Sequence, residues 1–268
     1  MTEMPLKVIS ASRRIDMVAT SPDELARILS ERCPPEKVHT VVLWTKNAHN
    51  ILYHSVLRQQ LEQYDQIYVN YSITGLGNSI LEPKVPDMET TLAQLPQLIL
   101  FLRNPLRLRI RFDPVVHFKL PDGREICNLN SFSMLAPRIA ELGVRDVSVS
   151  WVQLYNKVRK RLARYGIEPI EIAHERWLEE AEWLRRIASG HGLSLHGCCV
   201  PGWPRSRCID GFLLNELHPR GYKASTKRAK GQRPLCGCTE SWDIGWYTEC
   251  IHGCRYCYAN PKDYPVDN

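Results

Sequence analysis

Short apolar runs rich in β-branched residues recur along the first 200 residues of the chain. Their lengths, four to eight residues, and their compositions are those of buried strands. The runs are Val8 to Ala11, Val38 to Thr45, Ile67 to Thr74, Leu108 to Phe112, Val147 to Val152 and Leu193 to Cys198. The pattern predicts six strands.

Segments with helical periodicity separate these runs. One is predicted to begin at Ser21, with Ser21 as the N-cap, Pro22 in the first turn and Glu24 as the carboxylate of a capping box. The segment from Glu175 to Ala188 is predicted to bury an apolar stripe made of Leu178, Ala181, Leu184 and Ile187.

Alternation of strands and helices predicts an α/β fold with parallel strands joined by right-handed crossovers, either an open doubly wound sheet or a full or partial barrel. After Cys198 the alternation stops, and a mostly irregular stretch rich in Gly, Pro, Lys, Arg and Cys follows. We therefore expect a core of residues 1–200 and a cysteine-rich segment of residues 201–268 packed on it.

Composition narrows the class of protein. No apolar stretch approaches the roughly 20 residues that a membrane span needs, and the N-terminus lacks the apolar core of a secretory signal. We therefore expect a cytoplasmic protein with no membrane partner. Eight of the ten cysteines lie between Cys198 and Cys257, and a reducing compartment favours metal ligation over disulfides for them.

The C-terminal cysteines Cys250, Cys254 and Cys257 form a C-x3-C-x2-C array with Tyr256 just before the third. A four-iron cluster normally takes four thiolates, so three leave one iron open. That open iron can chelate S-adenosyl-L-methionine, whose reductive cleavage gives a 5′-deoxyadenosyl radical that abstracts hydrogen from a substrate. The alternative is a zinc site in which Cys236 and Cys238 join two of the later cysteines.

The run WYTECIHGCRYCYA, residues 246–259, resembles the cluster loop of the spore photoproduct lyase-like branch of the radical SAM superfamily. Thr45-Lys46-Asn47, Ser72-Ile73-Thr74 and Leu81-Glu82-Pro83 are similar to further segments of that branch. In that branch the loop follows the first barrel strand, whereas here it comes last. The chain therefore resembles a circular permutation, which barrels tolerate because their termini lie close together.

Over nearly its whole length the chain resembles the domain of unknown function 1848 family, bacterial proteins with a radical-SAM-like cysteine cluster at the C-terminus. The segments that carry this resemblance are Ser10 to Asp16, Trp44 to Asn47, Arg111 to Pro114 and Cys236 to Asn260. The two resemblances imply a parallel (βα)6-type partial TIM barrel, a 4Fe-4S cluster and a flavodoxin, ferredoxin or reductase as electron donor. They imply no substrate.

Four further cysteines, Cys198, Cys208, Cys236 and Cys238, suffice for an auxiliary 4Fe-4S cluster, with a zinc site or unligated thiols as alternatives. Polar residues at predicted strand ends are expected to bind the cofactor, because ligands collect there in α/β folds. These are Ser12, Arg13, Asp16, Lys46, Ser72, Thr74, Arg111 and Asp113, together with Tyr256 of the cysteine array.

Basic residues cluster twice, from Lys157 to Arg164 and from Lys223 to Arg233, within a chain of net charge +6. Such charges can bind phosphates, so nucleic acid is a candidate substrate, although a solvated helix face and a flexible basic loop are the favoured explanation. Two functions follow: a radical SAM enzyme, or a non-enzymatic zinc or iron–sulfur protein that binds nucleic acid or transfers electrons.

Overall fold

The computed structural model describes residues 6–265. Its strands are β1 (Lys7–Ala11), β2 (Val38–Thr45), β3 (Ile67–Ser72), β4 (Leu108–Val115), β5 (His117–Lys119), β6 (Glu125–Cys127), β7 (Asp146–Trp151), β8 (Glu168–Pro169), β9 (Ser194–Gly197), β10 (Trp242–Asp243), β11 (Glu249–Cys250) and β12 (Asn260–Pro261). Its helices are α1 (Met17–Thr20), α2 (Pro22–Arg32), α3 (His49–Tyr53), α4 (Ser55–Leu61), α5 (Met88–Ala93), α6 (Leu95–Leu102), α7 (Ser131–Glu141), α8 (Asn156–Arg164), α9 (His174–Gly190) and α10 (Gly211–Leu217). Residues 1–5, on which the prediction about a secretory signal partly depends, lie outside the described residues.

A seven-stranded parallel sheet forms the centre of the molecule, in the order β10-β1-β2-β3-β4-β7-β9. Six of its strands are the six predicted from the sequence, within a few residues at their ends. The α/β class is therefore confirmed. The spatial order repeats the chain order, except that β10 from the C-terminal region lies beside β1.

The two faces of the sheet are covered differently. Ile9, Val41, Val69 and Ile110 point to one face, where they join a core with apolar residues of helices α1 to α7 and α9. Alternation along the strands turns their neighbours to the other face. There, Val8, Val42 and Tyr68 pack against the C-terminal segment at Cys208, Ile209, Leu214, Ala224 and Cys238.

The C-terminal segment is more ordered than its composition suggests. It forms α10, capped by Asp210, whose side chain accepts hydrogen bonds from the backbone of Phe212 and Leu213, and it supplies β10 to the main sheet. Outside these elements and the short strands β11 and β12, the described part of the segment is irregular, as expected. Leu213, Leu214 and Leu217 give α10 an apolar side that contacts the sheet.

A small antiparallel sheet of β6, β5 and β8 was not predicted. Its hairpin turns at Gly123, where φ is +86°, a conformation that glycine adopts without strain. Cys127 ends β6.

Two helices depart from their predictions in detail. Helix α2 begins at Pro22 as expected, but the Ser21 side chain makes no capping hydrogen bond, and Glu24 binds Arg27 instead. In α9, Leu178 is 49% exposed, because the buried stripe runs through Glu180, Ala181, Leu184 and Ala188. None of the helices in residues 6–265 is long and apolar enough to cross a membrane.

Candidate functional site

The C-terminal cysteine array lies on a loop, residues 249–261, which we call the cysteine loop. Its ends pair as the short strands β11 and β12, and its turns are closed by hydrogen bonds from Gly253 N to Cys250 O (3.4 Å) and from Cys257 N to Cys254 O (3.0 Å). Cys254 is 5% exposed, and the thiols of Cys250 and Cys257 lie close enough to influence its ionisation. The three cysteines are therefore brought together.

Packing and polar contacts hold the cysteine loop against the rest of the fold. Cys254 and Tyr256 belong to an apolar cluster that contains Leu81, Phe118 and Leu162. Arg161 of α8 donates hydrogen bonds to the carbonyl oxygens of Cys257 (2.6 Å), Arg255 (3.3 Å) and Ala259 (3.4 Å). Arg161 is thus part of the support of this loop and not of a solvated basic face.

A buried polar network lies beside Cys254. Lys46, just after β2, donates from Nζ to Glu82 Oε1 (2.7 Å) and to the hydroxyl of Tyr256 (3.2 Å). Thr74 also donates to Glu82 Oε1 (2.9 Å), as does Tyr256. Glu82 Oε2 is buried and has no hydrogen-bond partner within residues 6–265. The network therefore keeps one carboxylate oxygen available for a donor from a ligand.

Burial and charge set the ionisation of these groups. Burial raises the pKa of Cys250, Cys254 and Cys257, so each thiol keeps its proton more firmly than an exposed cysteine does. Burial alone would lower the pKa of Lys46, but the adjacent Glu82 and Cys254 outweigh it and raise that pKa. Lys46 is therefore a permanent cation next to the cysteines.

Asp16 connects the cysteine loop to the end of β2. Its Oδ2 accepts hydrogen bonds from Thr45 Oγ1 (2.9 Å) and Lys46 N (2.9 Å), and it lies 2.7 Å from His252 Nε2. Its Oδ1 caps α1 through Ala19 N (2.9 Å). These contacts make Asp16 a positioning residue that ties His252 to the strand ends.

Cys198, Cys208, Cys236 and Cys238 form a second group on the face of the sheet that also contacts α10. Cys208 neighbours Cys198 and Cys238, and Cys236 neighbours Cys238. The neighbouring thiols of Cys198 and Cys238, together with the charges of Arg111 and Arg109, hold the pKa of Cys208 well below its usual value. The neighbouring thiol of Cys238 lowers the pKa of Cys236 to about 6.

Three of the predicted cofactor residues lie near this second group. Arg111 donates to Cys208 Sγ (2.7 Å), pairs with Asp113 and stacks on the ring of Trp44, with its guanidinium carbon 5.1 Å from the ring centroid. Arg13 stacks on Trp44 as well, at 5.5 Å, and its Nη2 is buried without a partner in the described part of the chain. Tyr258, next to Cys257, is close enough to Arg111 and Asp113 for their charges to affect its hydroxyl.

Two of the predicted cofactor-binding residues, Ser12 and Ser72, make no hydrogen bond to either cysteine group within residues 6–265. Ser12 is buried in a turn, where its hydroxyl accepts a hydrogen bond from Arg14 N (3.0 Å) and packs against Gly245. Ser72 is half-buried at the end of β3, in register with Arg111. The structure thus groups Lys46, Thr74 and Tyr256 around Cys254, and Arg13, Arg111 and Asp113 towards the second cysteine group.

Sequence reasoning did not single out Glu82, His252 or Arg161 as site residues. For Glu82 a signal was present, because it follows Ile80 and Leu81 and precedes Pro83, and a carboxylate buried beside such apolar residues needs a polar partner. For Arg161 there was none, since its neighbours in the sequence are equally basic and it differs only in the direction it faces.

Two comparisons with known proteins bear on this site. No curated protein matches the chain. A family model described as a domain of unknown function (DUF1848) matches residues 16–259, which include both cysteine groups and every residue of the Lys46 network. The match spans most of the chain, and we conclude that the protein belongs to the DUF1848 family.

Proposed function

We propose that this protein is a radical SAM enzyme in which Cys250, Cys254 and Cys257 hold a 4Fe-4S cluster with one open iron. The observation that carries the proposal is the pairing of three convergent thiols with a buried carboxylate, Glu82, that retains an unpartnered oxygen beside them. When bound, the cluster would supply the electron that cleaves S-adenosyl-L-methionine, giving a carbon radical that abstracts hydrogen from a substrate.

The donor set fits the proposed cluster. Three thiolates from one short loop leave one iron of a four-iron cluster for an exogenous ligand. The thiols must lose their protons on metal binding, and the cations Lys46 and Arg161 near Cys257 favour that loss electrostatically. Burial of Cys254 protects a bound cluster from water.

The polar network fits the cofactor. S-adenosyl-L-methionine carries an ammonium group, which can donate to Glu82 Oε2, and a carboxylate, which is attracted to Lys46. The three donors on Glu82 Oε1 hold the carboxylate in one orientation, so its second oxygen is presented without reorganisation. Tyr256 connects this network to the loop that carries the cysteines.

Strand order supports a partial barrel. In a doubly wound sheet the strand order reverses at a switch point, whereas here β1, β2, β3, β4, β7 and β9 follow one another in one direction. Helices α1 to α7 and α9 contribute to one core on a single face, as in a barrel wall.

The position of β10 supports the circular permutation. Trp242 and Asp243 pair in parallel with Ile9 and Ser10, so β10 occupies the sheet edge that precedes β1. The cysteine loop begins a few residues after β10. A first barrel strand followed by the cysteine array is the order of the spore photoproduct lyase-like branch, supplied here from the C-terminal end of the chain.

Reduction of the anaerobically reconstituted protein with dithionite in the presence of S-adenosyl-L-methionine tests this function. We expect 5′-deoxyadenosine from the parent and none from the Cys254→Ala variant, with a Cys33→Ala variant as the matched control. Cys33 is as buried as Cys254 but lies at the end of α2, in the helix-side core. A parent that carries a full cluster but forms no 5′-deoxyadenosine would contradict the proposal, as would one that binds stoichiometric zinc and no iron.

A further inference from the structure

The second cysteine group is assembled from three separate segments. Cys198 follows β9, Cys208 lies in the loop before α10, and Cys236 and Cys238 flank Gly237 in a turn before β10. Backbone hydrogen bonds fix these segments to one another: Cys198 N donates to Val149 O (2.8 Å), Ser206 N to Gly197 O (3.0 Å) and Thr239 N to Ile209 O (2.9 Å). The fold therefore brings four thiols together that lie up to 40 residues apart.

Cationic and hydroxyl side chains surround these sulfurs. Arg111 Nη1 donates to Cys208 Sγ (2.7 Å), Ser206 Oγ lies 3.6 Å from the same sulfur, and Arg233 Nη2 lies 3.6 Å from Cys198 Sγ. Cys208 and Cys238 are buried, at 3% and 4% exposure. Neutral thiols packed as small apolar groups need no guanidinium partner, whereas thiolates do.

The backbone at Gly237 lies close to the segment of Ser206 and Arg207, which precedes Cys208. A Cβ at this position would lie 3.0 Å from Ser206 O and 3.0 Å from Arg207 Cγ, so only glycine lets the two cysteine-bearing segments meet without displacement. The Cys-Gly-Cys turn is thereby pressed against the segment that carries Cys208.

The spacing of the sulfurs distinguishes between metals. A single zinc ion at about 2.3 Å from each sulfur would place the sulfurs about 3.8 Å apart. Within residues 6–265, the one group of three metal-ligand side chains whose donor atoms all lie within 4.8 Å of one another is His117, Cys127 and Glu180, and no trio of cysteines meets that limit. A cluster with irons at separate corners accepts thiolates that are further apart.

We propose that Cys198, Cys208, Cys236 and Cys238 ligate a second 4Fe-4S cluster, on the face of the sheet that also contacts α10. Four thiolates complete its coordination, so this cluster has no open iron. The proposal goes beyond the proposed function and does not depend on it, since none of its four ligands is Cys250, Cys254 or Cys257. Arg111 is close to Cys198 and Cys208, and it is also close to Tyr258, the neighbour of Cys257 in the chain.

Metal analysis of the full-length chain, reconstituted anaerobically with ferrous iron and sulfide, tests the inference. The informative variant carries Cys250→Ala, Cys254→Ala and Cys257→Ala, which leaves only the second group. We expect about eight irons in the parent, about four in the triple variant with equal sulfide, and almost none when Cys236→Ser is added. Cys236 is half-buried on a turn, so this change perturbs folding less than one at Cys208 or Cys238.

Two single variants test the choice of ligand. Cys199→Ser is the matched control for Cys198→Ser, because the two residues are adjacent and both half-buried. We expect Cys199→Ser to retain the iron of the triple variant and Cys198→Ser to lose it. The reverse result would overturn the assignment of Cys198.

The outcomes also separate this inference from the proposed function. A folded triple variant with no iron, or with one zinc and no sulfide, overturns the second cluster while leaving the first untouched. A parent with about four irons that survive the triple substitution upholds the second cluster and contradicts the first. Circular dichroism of each variant shows whether it is folded.

Discussion

Lys46 and Glu82 form a buried ion pair in which Nζ lies 2.7 Å from Oε1, and the Glu82 side chain is 1% exposed. The pair joins the end of β2 to a loop that no predicted element contains, and Tyr256 connects both residues to the cysteine loop. A charge buried this deeply is tolerated only while its partner is present.

Replacing Glu82 with glutamine should therefore destabilise the protein. The change keeps the shape but leaves Lys46 buried without a counter-charge, and we expect a loss of about 3 kcal/mol in the free energy of unfolding, measured by urea titration. In Lys46→Met/Glu82→Gln the loss should be smaller than the sum of the single losses, because no uncompensated charge remains.

Glu89→Gln is the control for this experiment, because it breaks the exposed pair between Glu89 and Arg138 and should cost less than about 1 kcal/mol. Losses that simply add in the double variant would show that Lys46 and Glu82 do not act as a pair.

Gly245 is predicted to be intolerant of any side chain. A Cβ there would lie 2.2 Å from Ser12 Oγ and 2.3 Å from Ser12 Cβ, which would push the segment after β10 away from β1. We expect Gly245→Ala to lower the free energy of unfolding by about 1 to 3 kcal/mol and to reduce iron retention by the cysteine loop.

Two further variants test whether the clash with Ser12 causes the loss of stability in Gly245→Ala. Ser12→Gly combined with Gly245→Ala removes the clash and should recover much of the stability. Gly190→Ala, where a Cβ meets nothing within 4 Å, should have little effect. An unchanged stability in Gly245→Ala would mean that β10 is not held as the structure indicates.

Arg161 should be required for retention of the metal by the cysteine loop. It donates to three carbonyl oxygens of that loop, of which the bond to Cys257 is the shortest at 2.6 Å, and one charge-assisted hydrogen bond contributes about 1.5 to 3 kcal/mol. We expect Arg161→Gln to lower Tm by several degrees and to shorten the lifetime of a reconstituted cluster in air, followed by its visible absorbance.

The matched control for Arg161 is Arg159→Gln on the same helix, since the Arg159 side chain forms an exposed ion pair of 3.9 Å with Glu171 and no other within residues 6–265. Equal cluster lifetimes in the two variants would contradict a specific role for Arg161. Arg161→Lys separates charge from geometry, because lysine keeps the charge but cannot reach three carbonyl oxygens with a planar group.

The elements and site residues that could be predicted from the sequence are those whose signal lies within a few neighbouring residues of the chain. The strands β1 to β4 and β7 were predictable because each lies in a short segment whose apolar residues are mostly β-branched or aromatic, the types that strands favour. The array from Cys250 to Cys257 was recognisable because its ligands are close together in the chain.

Some elements were not predicted from the sequence, and β10 was missed because it pairs with residues far away in the chain. Strand β10 has two residues, and nothing in Trp242-Asp243 reveals that it pairs with Ile9 and Ser10 more than 200 positions away. The missed hairpin of β5 and β6 did have a local signal, Asp122-Gly123 between short alternating runs. Leu178 shows the limit of periodicity, since the buried stripe of α9 is shifted to include Glu180, which lies 3.1 Å from His117.

The contact between His117 and Glu180 predicts a pH dependence of stability at alkaline pH. Burial alone would lower the pKa of His117, but hydrogen bonds to Cys127 and Glu180 outweigh it and raise that pKa to about 9. Trp151 and Arg176 contact the same carboxylate, from β7 and α9. Since the pKa of His117 is higher in the folded state than its usual value of 6.5, the stabilisation is fully present below pH 6.5 and is lost as the pH rises through about 9.

We expect the difference in unfolding free energy between the parent and His117→Gln to fall by up to about 3 kcal/mol between pH 6.5 and pH 10, in urea titrations at each pH. His191→Gln, at an exposed histidine, should follow the parent throughout, and a difference for His117→Gln that does not change with pH would contradict the assignment.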